Sequence, residues 1–110
     1  MATLTASDGV FLIEALGTGE TSPTIGPIPN ASFGTFTAVS GGGTGFNSQT
    51  VTIEGSITGD AGTFVPLKDT LGTVISFSAA AHVEVSTAMR YFRAVGASGL
   101  GDVDIAARFK

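Results

Sequence analysis

The chain has 110 residues, enough for one domain that buries roughly 65% of its unfolded surface. It has no cysteine, a single histidine and a formal net charge of −4. That excludes a disulfide framework, a thiolate metal site and a His-rich metal site, and it argues against a nucleic-acid backbone as partner.

Only 13% of the residues are charged, about half the usual share. A surface so poor in charge suits a protein buried among copies of itself, or against a larger assembly, better than a free monomer. The opening MATLTASDG has no basic region of a secretory signal. The longest apolar runs fall well short of the ~18–20 residues a membrane helix needs. The expectation is a chain made in a cytoplasm, not exported by the ordinary route and with no membrane partner.

Taken in order, residues 1–9 are polar and form either an arm or a first edge strand. Val10–Leu16, VFLIEAL, is an apolar run rich in β-branched and aromatic residues and followed by Gly17 and Gly19, which favours a strand over a short helix. Residues 17–30 contain Pro23, Pro27 and Pro29. Each proline removes a donor and pushes its predecessor to extended geometry, so this reads as a long irregular loop of the kind that is usually functional or interfacial.

Residues 32–39 predict a strand with Phe36 and Ala38 on one face and Thr35 and Thr37 on the other. Residues 40–45 hold four glycines and predict a flexible turn. They lack the following Lys-Ser/Thr and helix that a phosphate-binding loop requires.

Residues 48–57, SQTVTIEGSI, alternate most clearly, with Val51, Ile53 and Ile57 inward and Thr50, Thr52, Glu54 and Ser56 outward. A turn at 58–62 leads to a short strand over 63–67, whose Pro66 suits an edge. A second turn at 68–72 precedes a strand over 73–78 with Ile75 and Phe77 in the core. Ala79–Ala81 reads as a strand end or a one-turn connector, and alternation returns over 83–87.

The chain closes with two runs, 90–95 and 102–109, joined by the glycine-rich 96–101. The second alternates over eight residues, with Val103, Ile105, Ala107 and Phe109 on one face. The expectation is an antiparallel hairpin. Seven or eight strands with turn signals about every 8–12 residues, and no long helix, define an all-β single domain: an antiparallel β-sandwich or jelly roll.

The chemistry-bearing residues are few. His82 has no carboxylate-rich or second-histidine cluster around it in sequence, and one histidine with no cysteine assembles no nucleophile–base pair, so no enzyme and no cofactor are expected. Asp102 and Asp104 share one strand face. With Asp60 they offer oxygens to a calcium ion, but no EF-type loop is present, and cross-strand pairing with Arg90 or Arg93 is the preferred reading. Arg90 and Arg93 lie three apart and so face opposite sides of a regular strand. One is left for a partner surface, where its planar fork makes bidentate bonds. The eight phenylalanines read mostly as core, and with no Trp and only Tyr91 the aromatic signal for a sugar site is weak.

Two segments carry a family resemblance. Residues 50–67, TVTIEGSITGDAGTFVPL, and residues 90–95, RYFRAV, followed by an Asp-Val-Asp-Ile strand, together resemble the small β-sandwich proteins of tailed-phage virions. More loosely they are similar to strands of discoidin-like sandwiches. Among virion proteins the size, the lack of cysteine and the Gly/Thr/Ala richness resemble a capsid decoration (cement) protein. The resemblance implies a homo-oligomer, trimer or dimer, that sits on the outside of the head, made in the bacterial host cytoplasm and bound to the major capsid protein. The sequence departs from the best-known decoration proteins in lacking an obvious Pro/Gly-rich N-terminal arm. Candidate contact residues on this reading are Pro23, Ile25, Pro27, Ile28, Pro29, Arg90, Arg93, Asp102 and Asp104. The alternative is a receptor- or glycan-binding module of a tail or fibre, with residues 40–45 or 96–101 holding the ligand.

Overall fold

The computed structural model describes residues 2–7, 9–28 and 33–109. Among these there is no helix, and nine strands are all paired antiparallel. They are β1 (Thr3–Ser7), β2 (Val10–Leu16), β3 (Phe33–Gly42), β4 (Val51–Ser56), β5 (Val65–Pro66), β6 (Ser76–Phe77), β7 (Ala81–Ser86), β8 (Tyr91–Gly96) and β9 (Asp102–Phe109). The first sheet has five strands in the order β1-β2-β9-β3-β7. The second is built on β4, which pairs with β8 along its whole length, while β5 and β6 lie end to end on its other edge. Beyond β8, residues 17–28 add two bridges, Thr21 to Val95 and Ile25 to Phe92.

The alternation expected of residues 102–109 is present: Val103, Ile105 and Ala107 are buried and the residues between them are not. Its partners differ from the expected hairpin. β9 pairs with β2 and β3 in the first sheet, whereas β8 pairs with β4 in the second. Residues 97–101 therefore carry the chain across the sandwich. The crossing is held by the neighbouring loop, with Gly101 N–H donating to Gly45 O at 2.8 Å and the Asn47 side chain donating to Gly99 O at 2.9 Å. Gly101 is needed there, since a Cβ would lie 2.6 Å from the Gly45 carbonyl oxygen.

The two sheets meet through aromatic rings. Phe36 of β3 and Phe92 of β8 pack edge-on with centroids 5.7 Å apart. Phe109 of β9 stacks on Phe92 at 4.7 Å and meets Phe36 edge-on at 5.6 Å. Offset-stacked and edge-on pairs are the favoured ring geometries. Gly34, opposite Phe109 in the ladder, makes room for that ring: a Cβ at Gly34 would stand 2.6 Å from it. Ile13, Leu16, Val51, Ile53, Val85 and Ala94 complete the middle of the core.

Several local expectations change. Ser40, Gly41 and Gly42 extend β3 instead of forming a turn. Ile57 is 67% exposed, against its expected inward place, and Ser56, on the outward side with Glu54, is nonetheless 1% exposed. β4 ends at Ser56, which lies on the same side of the strand as Glu54 and is covered by the turn that follows: its hydroxyl accepts from Gly59 N–H at 2.9 Å and bonds Thr63 Oγ1 at 2.6 Å, organising the 58–63 turn. Such Ser-to-backbone bonds compete with strand continuation. Residues 1–9 form an edge strand, β1, in their described part. Residues 17–28 are not structureless: Ile25 and Ile28 are in the core, and Ile25 exchanges two backbone hydrogen bonds with Phe92 at 2.7 and 2.9 Å.

Candidate contact surface

The register of the first sheet places side chains on its outer face in cross-strand rows. One row reads Ser7, Val10, Arg108, Thr35, Glu84, and the next reads Thr5, Leu12, Ala106, Thr37, His82. Because residues of one parity point one way, these form a surface opposite to the core set of Phe36, Ala38, Ile105 and Ala107. Val39 and Phe33 continue β3's outward set. Both are exposed, as is Val10, at 43%, 41% and 38% respectively.

Ala106 sits near the middle of this face, between larger neighbours on β2 and β3. The result is a depression of about 360 Å³ lined by Val10, Phe33, Thr35, Thr37, Glu84 and Arg108, among others. Arg108 and Glu84 flank Thr35 in one row, two strand spacings apart, or about 10 Å. They form no ion pair with each other, and neither has a hydrogen-bond or ion-pair partner among the described residues. A second depression, of about 250 Å³, lies beside β5 and is lined by Ser56, Ile57, Thr58, Thr63, Val65 and Met89.

The candidate residues read from the sequence fall in separate places. Pro23 and Pro27 are exposed, Ile25 and Ile28 are 1% and 7% exposed, and Pro29 lies outside the described residues. What remains of that segment for contact is its exposed prolines. Arg93 does not pair with Asp102 or Asp104, which are in the opposite sheet. Its Nε donates to Glu54 Oε1 at 2.8 Å across β8 and β4, and its guanidinium lies 4.2 Å over the Phe64 ring. Arg90 is exposed, and its backbone bridges Ser56 and Ile28.

Asp102 and Asp104 share a face as expected, with both Oδ1 atoms converging over Gly41. Asp104 accepts from Ala15 N–H at 3.0 Å, at a bulge between β2 and β9 where Ala15 adopts φ 61°. That bulge turns Leu16 back into the core. Asp102 Oδ1 is buried without a hydrogen-bond partner among the described residues. Asp60 sits in the 58–63 turn of the other sheet, away from this pair, and no three His, Cys, Asp or Glu side chains gather into a possible metal site among the described residues. His82 is exposed on β7, on the same face as Glu84. The glycine-rich loops 40–45 and 96–101 pack on one another at Gly101, whose backbone lies against Thr44 and Gly45.

The outer face of the first sheet was the feature missed from sequence. Its signal was present as the outward positions Thr35 and Thr37 of β3, but which strands lie beside them cannot be read from alternation.

The structure is that of an antiparallel β-sandwich. No known protein family matches the chain, and no curated protein matches it. Among solved structures, the chain is similar to the K1 cleaved adhesin domain of Lys-gingipain (Kgp) from Porphyromonas gingivalis W83. The TM-score is 0.47 and the identity 15%, over 92% of this chain and 73% of that one.

Proposed function

We propose that this chain is a structural protein of a phage virion, a decoration protein that attaches to the outside of the head and stabilises it. It attaches through the outer face of the five-stranded sheet. The observation that carries this reading is the chemistry of that face. Its centre, Leu12, Ala106, Thr35 and Thr37, has no charge; Arg108 and Glu84, which have no partner among the described residues, stand around it, and Glu14 and Asp104 lie further along the same face. Protein interfaces have this arrangement of a charge-depleted centre and a polar rim. The low charge content of the whole chain and the resemblance of residues 50–67 and 90–95 to small β-sandwich virion proteins supply the virion setting.

Bound copies that straddle boundaries between major capsid protein subunits would add buried area and shift the shell away from its disassembled state by mass action. Five strands spaced by ~4.8 Å, with about eight residues at ~3.3 Å each, offer roughly 600 Å² on this face. A standard interface takes about 800 Å² from each partner. The face alone therefore supports a contact of modest strength, suited to attachment in many copies.

Co-sedimentation with assembled heads, and separately with tails, of the virus that encodes the chain tests the reading. The protein should pellet with heads, and Thr37→Arg, at a half-buried outer-face position, should abolish pelleting while leaving the fold intact. Pelleting with tails alone, or with heads regardless of Thr37→Arg, would overturn the head-attachment or the face assignment respectively.

A further inference from the structure

β7 closes one side of the five-stranded sheet, and no described strand lies beyond it. It runs against β3 from Ala81 to Ser86 in unbroken register. Its outer N–H and C=O groups form the kind of open edge that natural sheets blunt with proline, lysine, bulges or short length. β7 has six residues, AHVEVS, with no proline, no lysine and no bulge, and its one charged side chain is Glu84. The other sheet is protected. Its β5 has two residues, one of them Pro66, and the segment beyond β8 carries Pro23 and Pro27. β1 is open too, but TLTAS has no charged side chain to select a register.

We propose that β7 pairs edge to edge with β7 of a second copy, antiparallel about a two-fold axis normal to the sheet, with Val83 opposite Val83. Such an axis keeps each outer face outward, so residues directly opposite share a face and the register can move only in steps of two. Three registers centre on the middle of the strand. Centring on Glu84 sets two carboxylates directly opposite each other, and like charges so placed are destabilising. Centring on His82 sets two imidazoles together and leaves both Glu84 carboxylates facing alanine. Centring on Val83 puts His82 of each copy opposite Glu84 of the other, where a ring N–H donates to a carboxylate, twice. On the inner face it puts Val83 against Val83 and Ala81 against Val85.

Both charged-face pairs are satisfied by strand parity alone, and Glu84, which has no partner among the described residues, gains one. The interface is isologous and closed, so it ends at two copies. The product is a continuous sheet of ten strands, five from each copy, with the two outer faces side by side. This pairing uses the edge and its two rim residues, His82 and Glu84, not the uncharged centre of the face assigned to attachment above, and the two can fail independently.

Sedimentation equilibrium up to about 1 mM, a range that detects weak dimers, tests the association. A reversible dimer is expected. Glu84→Lys should weaken it roughly tenfold, because two opposite pairs change at once. The swap His82→Glu with Glu84→Lys should restore it, and Thr37→Arg should leave it unchanged. The register is read independently by cysteine pairing, since the chain has none of its own. With a short bis-thiol reagent, Val83→Cys should link to itself. His82→Cys should link to Glu84→Cys in a mixture, with little linking of either alone. A protein that stays monomeric to 1 mM, a dimer indifferent to Glu84→Lys, or a cysteine pattern centred elsewhere would each overturn the proposal.

Discussion

Replacing Ile25 by alanine separates a core role for residues 17–28 from a purely interfacial one. Ile25 is 1% exposed and lies under β8, tied to Phe92 by two backbone bonds. The substitution removes three carbons. At about 0.8 kcal/mol per methylene the lost transfer energy is about 2.4 kcal/mol. The cavity left behind adds to that, giving an expected loss of about 2–5 kcal/mol. The backbone bonds to Phe92 survive, because alanine keeps the N–H and C=O, so the loss reports the side chain alone. Urea unfolding followed by far-UV circular dichroism measures it, with the slope unchanged from the parent chain. The exposed neighbour Thr24 serves as control, and Thr24→Ala should stay within about 0.5 kcal/mol. If Ile25→Ala cost less than about 1 kcal/mol in the isolated chain, the burial of this segment would not contribute to stability, and the account of the second sheet's far edge would be wrong.

Two further outcomes follow from the packing. Gly34→Ala drives a methyl group into the Phe109 ring and should cost about 1–3 kcal/mol. Combining it with Phe109→Ala should cost less than the sum of the two single changes, and a double-mutant cycle by thermal denaturation checks this. Ser56→Ala removes the acceptor for the Gly59 and Thr58 N–H groups and should cost about 1–3 kcal/mol. Hydrogen exchange at Gly59 should rise well before exchange in β4 does.

The apolar run and its flanking glycines were enough to locate β2 to the residue, and alternation set the inward face of β9, because burial on one side of a sheet forces a period of two. Alternation does not say which strand lies alongside. β8 and β9 are neighbours in sequence and belong to different sheets, so the pairing of Arg93 with Asp102 or Asp104 that adjacency suggested does not form. Arg93 found its carboxylate on Glu54, 39 residues away. The same blindness to partners hid the contact face, since Thr35 and Ala106 become neighbours of one surface only when β9 inserts beside β3. Ile57 missed its expected inward place for a local reason: the strand ends at Ser56, whose hydroxyl starts the 58–63 turn, so the alternation stops one residue before Ile57.

Tyr91–Gly96 and Asp102–Phe109 leave the ribosome after the strands they join, and each lies between partners that come earlier in the chain. β9 separates β2 from β3, and β8 separates β4 from residues 17–28. Until they emerge, β2 and β3 have no shared partner and Ile25 has no strand to bridge. The sandwich must therefore be completed after residues 1–90 have been made, by long-range pairing of the kind that closes slowly. A nascent chain stalled before Tyr91 would present open edges from both halves at once, and it is that species, not the finished sandwich, that would most need a chaperone.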